Sequence, residues 1–83
     1  MIGRQMTMPY VITLSDGSRH ELYGPWRVDA AAELIRARRH AGRPLHVAAS
    51  APPCRDPYGV RIDPASVVSV ADRVSGAVVP VAA

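Results

Sequence analysis

Three imidazoles and one thiol in this 83-residue sequence are potential metal ligands or nucleophiles: His20, His40, His46 and Cys54. Zinc centres are usually seeded by two ligands close in sequence, and none of the four has such a neighbour. A lone cysteine excludes an internal disulfide framework and any four-cysteine site. Arg55 beside Cys54 would favour the thiolate, yet no partner base can be assigned in the stretch Pro52-Pro53-Cys54-Arg55-Asp56-Pro57. The carboxylates are few, and Asp16, Asp29 and Asp63 stand where turns and a helix start would use them. No glycine-rich loop could cradle a phosphate. These residues predict a protein with no catalytic centre, no metal and no cofactor, that is, not an enzyme.

A second group carries charge rather than reactivity. Arg36, Arg39, His40 and Arg43 fall within about a third of the circumference of a helix. Guanidinium forks match phosphate and carboxylate oxygens, so the four are candidate contacts for nucleic acid or an acidic partner. The competing account is a solvated face placed at a helix C-terminus, where the dipole favours cations by roughly 0.3–1 kcal/mol each. Arg38 is expected on the apolar side, its stem lying along the sheet edge. Tyr23 and Arg19 form a candidate platform for unpaired bases, with Glu21 between them opposing a phosphate backbone. No helix-turn-helix or zinc-finger spacing is present.

Composition qualifies the arginines. All ten basic residues are Arg, and Lys, Asn and Phe, whose codons are A/T-rich, are absent. The pattern points to a GC-rich genome, such as that of an actinobacterium or its phage. Part of the Arg excess is then codon usage, and the net charge of +3 is a weak argument for nucleic acid. The length suits one domain, burying roughly 60–65% of the surface its unfolded chain exposes, which leaves no room for a deep cleft. No uncharged run reaches the roughly 18 residues of a membrane span, and the N-terminus lacks a secretory h-region. The expectation is a cytoplasmic or virion-associated protein without a membrane partner. Met1, Met6 and Met8 are alternative starts, so residues 1–8 are read as an N-terminal extension.

The elements that position these residues follow from periodicity. Tyr10–Leu14 and Ser18–Tyr23 flank a Ser15-Asp16-Gly17 turn. A two-residue loop would bring Glu21 and Arg19 onto the apolar face. A three-residue loop with Gly17 left-handed pairs Leu14 with Ser18, Ile12 with His20 and Tyr10 with Leu22, and is preferred. Asp29 is expected to cap a helix over about residues 30–41, stopped by Gly42 and Pro44. Its predicted apolar stripe is Ala30, Leu34, Ala37 and Ala41, widened by Ala31 and Ile35. Short strands are expected at Leu45–Ala49, Val60–Ile62 and Val67–Val70, the last two around an Asp63-Pro64-Ala65-Ser66 type I turn.

Residues 75–83 read as an apolar tail or edge strand following a domain over 9–74. Val78, Val79 and Val81 are candidate docking residues, able to add a strand to a partner or to close their own sheet. Gly24-Pro25-Trp26, followed by Ala31, Leu34 and Gly42 ahead of a strand, resembles the Gly-Pro-aromatic, helix and Gly-strand pattern of peptidoglycan-binding SPOR domains. The second helix that would come next is absent from the sequence, so the resemblance ends with these residues. The fold class expected is α+β, a ββαββ arrangement with one helix on an antiparallel or mixed sheet. The function expected is a small accessory module docking onto another protein or itself, in a homo-oligomer or an assembly such as a virion. The second reading is a nucleic-acid-binding accessory protein using the Arg face.

Overall fold

Turn chemistry decides the first hairpin. In the computed structural model, which describes residues 8–50 and 59–81, β1 (Met8–Leu14) and β2 (Arg19–Gly24) pair antiparallel with Tyr10 opposite Leu22 and Ile12 opposite His20. Leu14 N–H donates to Ser18 O at 2.8 Å, and Gly17 sits at φ +88°. The three-residue loop is therefore the one formed, and it puts Tyr10, Ile12 and Leu22 in the core. Asp16 holds the loop by accepting from Ser18 N–H and Oγ–H, bonds that keep its carboxyl below the usual range.

The helix α1 (Val28–Ala41) begins earlier than expected, and Asp29 is not its cap. Arg27 occupies that position in extended conformation without a side-chain cap, while Asp29 lies in the first turn, where its charge suits the dipole. The stop is as expected. Gly42 is left-handed at φ +68°, and Gly42 N–H and Arg43 N–H close on Arg39 O and Arg38 O.

The buried stripe also differs. Ala31, Ala32 and Ile35 are buried and Val28 and Leu34 half-buried, whereas Ala30, Ala37 and Ala41 face solvent. At 100° per residue the true stripe runs Val28, Ala31, Ala32, Ile35, Arg39. An alanine-rich helix offers little contrast between its faces, and an arginine at the end of the stripe disguises it.

Four strands follow. β3 (Leu45–Val47) and β4 (Val60–Ile62) form an antiparallel ribbon, joined to the main sheet by one bridge between Tyr23 and Ala48. β5 (Val67–Asp72) enters the main sheet beside β1, and β6 (Val78–Pro80) closes its far edge, giving the order β2-β1-β5-β6. The Asp63-Pro64-Ala65-Ser66 turn is thus a corner between two sheets. Asp63 Oδ1 accepts from Ala65 N–H, and Ser66 N–H donates to Asp63 O. The class is α+β, with one helix packed on a four-stranded antiparallel sheet and a small two-stranded sheet beside it. Leu45, Val47, Ile62, Val67, Val70 and Val81 complete the core.

Candidate functional site

The predicted cationic face is largely committed within the chain. Arg39 projects from the end of the buried stripe, and its Nε and Nη2 donate to Pro64 O at 3.3 Å. Nη2 also reaches Val67 O at 3.0 Å and Val81 O at 3.2 Å. One guanidinium thereby ties the helix to the corner turn, the start of β5 and the residue beyond β6. Arg36, on the flank, pairs with Glu33 at 2.7 Å and donates through Nη2 to Pro80 O at 2.7 Å. His40 and Arg43 remain exposed, and Arg38 is half-buried. The four residues grouped by helical spacing are therefore divided, two bound to their own backbone and two facing water.

Arg43 meets instead a residue from a distant element. An open depression of about 470 Å³ lies where the end of α1, β4 and the corner turn converge, lined by Arg39, Gly42, Arg43, Pro44, Arg61, Asp63, Pro64 and Ala65. Arg61 was not singled out by sequence. Its signal was the alternation of β4, which buries Ile62, half-buries Val60 and turns Arg61 outward beside His46.

The tail residues divide as well. Val81 is buried and Val79 packs against the core, while Val78 is 62% exposed. On β6 the inward-bonding positions are odd-numbered, since Asp72 N–H donates to Ala77 O and Val81 N–H to Val68 O. Val78 and Pro80 therefore present their backbone groups to the open edge. Pro80 has no N–H and its carbonyl is taken by Arg36, so this edge is poorly suited to adding a strand.

The outer face of the main sheet is a broader surface. The helix covers only one side; on the other, pairing aligns Glu21, Val11, Ala71 and Val78 in one row and Arg19, Thr13, Ser69 and Pro80 in the next. Three large apolar side chains are strongly exposed among the described residues: Val68 at 48%, Val74 at 77% and Val78 at 62%. All three belong to the β5–β6 hairpin. At the other side Tyr23 donates its hydroxyl to Glu21 at 2.9 Å, a bond that raises the pKa of the phenol, and Glu21 also pairs with Arg73. Arg19 lies outside these bonds, at the rim of the face.

No protein-family model, curated protein or solved structure matches this chain. Among the described residues no three of His, Cys, Asp and Glu approach closely enough to hold a metal, and no helix is long and apolar enough to cross a membrane. Cys54 falls in 51–58, outside the described residues.

Proposed function

We propose that this protein is a non-enzymatic interaction module, an accessory component of a high-GC bacterium or its phage that docks through the outer face of its sheet. The observation that carries the reading is the exposure of Val68, Val74 and Val78 along one hairpin, with Val78 in register with the half-buried Ala71 and Val11. Isolated exposed apolar residues need no explanation, but three on a single hairpin make it a candidate contact surface. The partner favoured is a second copy of the chain. A two-fold contact sets the same apolar row against itself and keeps Glu21, Arg19 and Arg73 at the rim.

The size of the face sets the strength. Four strands about 4.8 Å apart and roughly 20 Å long make a patch well short of the roughly 800 Å² per partner of a standard interface. A contact this small is expected to be weak and transient. Sedimentation velocity from 5 to about 500 μM tests it. A concentration-dependent dimer that Val78→Arg abolishes, with the thermal unfolding midpoint unchanged at low concentration, is the expected result. A monomer across the whole range would refute self-docking.

The nucleic-acid reading through the helix has less to support it. Arg36 and Arg39 already donate to backbone carbonyls, so fewer of their N–H groups are left to reach phosphates along a nucleic-acid backbone.

A further inference from the structure

The depression at the end of α1 gathers three arginines, Arg39, Arg43 and Arg61, with one carboxylate, Asp63, among the described residues. Two arginines of the described residues pair with carboxylates, Arg36 with Glu33 and Arg73 with Glu21. Arg43 and Arg61 are exposed and, among the described residues, take part in neither of the ion pairs present. They line one concavity with Arg39, against the single carboxylate of Asp63, which already accepts Ala65 N–H. Among the described residues the local sum is an excess of two positive charges. Three guanidiniums around one hollow give it a positive potential that favours entry of an anion.

Two features build the hollow rather than leave it to chance. Gly42 in the left-handed conformation turns the chain out of the helix, and Pro44 and Pro64 stiffen the walls on either side. Arg39 is held in place by the Pro64, Val67 and Val81 carbonyls. The negative end of the helix dipole opposes an anion here, but the carbonyls of Arg38 and Arg39 are already bonded by Arg43 N–H and Gly42 N–H. Nearby full charges outweigh the residual half charge.

We infer that this depression is a binding site for a phosphate monoester on a small molecule. A monoester carries about −1.5 to −2 charges near neutral pH, which matches the excess of two, and three oxygens suited to guanidinium forks. A phosphodiester carries one charge and two free oxygens and fits less well. The volume admits a phosphoryl group with a sugar-sized substituent, and Asp63 offers an acceptor for a hydroxyl of that substituent. Sheet-face docking uses none of these residues, so either proposal can fail alone.

The test is titration of the full chain, followed by amide and arginine side-chain NMR, with phenyl phosphate and with the monoanionic diester dimethyl phosphate. The result expected is saturable shifts at Gly42, Ala65 and the Arg43 and Arg61 side chains, with a Kd of about 1 mM or below. Arg61→Gln and Arg43→Gln should each weaken binding about tenfold, the equivalent of one charge-assisted bond. Arg38→Gln, outside the depression, should not. Their undisturbed spectra away from the site show that the variants fold. Shifts that never saturate, that spread over all the arginines, or that survive Arg61→Gln would overturn the assignment. Equal binding of the diester, or tighter binding of a short duplex DNA at the same residues, would overturn the monoester and make the site a contact for a nucleic-acid backbone.

Discussion

Arg39 is half-buried, with backbone carbonyls as its only acceptors in the bonds described. Hydrogen bonds to a charged donor contribute about 1.5–3 kcal/mol where the alternative is an unmet carbonyl. Partial exposure reduces the sum, so Arg39→Leu should destabilise the fold by about 2 kcal/mol, read as a lower urea midpoint at constant m-value. The sequence could not disclose this role. A charged letter at helical spacing reads as a solvent face, and only a guanidinium's length lets it occupy a core stripe while its head bonds carbonyls at the rim. Asp72 gives the pH counterpart. Its carboxylate accepts Val74 N–H at 2.8 Å and Ser75 N–H at 3.3 Å, and those bonds hold its pKa below the usual value. A depressed folded pKa contributes stability above the unfolded value of about 3.9 and loses it as pH falls through the folded value. Asp72→Asn keeps an oxygen for both amides but has no proton to bind. Its melting temperature should fall less steeply than that of the wild type between about pH 4 and 2, and Asp16, depressed in the same direction, leaves some slope in both.

At the scale of elements, what was legible depended on how many independent constraints met. The β1–β2 register was fixed by two, the side-chain faces and the left-handed Gly17, and it forms as expected. The helix start had one, and the backbone of Arg27 displaced Asp29 from it. Helix phase rested on alanines, which bury or face water at little cost, and it came out rotated. β6 is the element with the most at stake. It supplies Val79 and the adjoining Val81 to the core, with Val81 1% exposed, and its end carries the carbonyls that receive Arg36 and Arg39. Removing residues 76–83 should therefore unfold the chain, seen as loss of the cooperative thermal transition, and so would say nothing about partner docking. The point substitution Val78→Arg, on the opposite face, is the informative change.

The arrangement of the whole molecule was the least legible level. Local patterns name strands but not their order, and nothing in the β1 sequence announces that β5, rather than β3 or β4, will lie against it. The same holds for the depression at the end of α1, which brings together Arg43 and Arg61, eighteen positions apart in the sequence. That depression was hidden because β4 reads as three unremarkable residues. The open sheet face was hidden for another reason: alternation in β1, β2 and β5 distinguishes the core side clearly but leaves a mixed outer side, whose apolar members gather only once the strands are ordered. Order also bears on time. β1 is flanked by β5, and Arg39 waits for a carbonyl 42 residues further along the chain. Contacts of such separation slow folding toward the millisecond-to-second range. During synthesis the first hairpin and the helix must emerge, and persist, with the β5-facing side of β1 still open. Until the residue at 81 is out, every nascent copy exposes a strand edge that neighbouring copies could pair with, so the protein's most vulnerable moment comes before it has a surface at all.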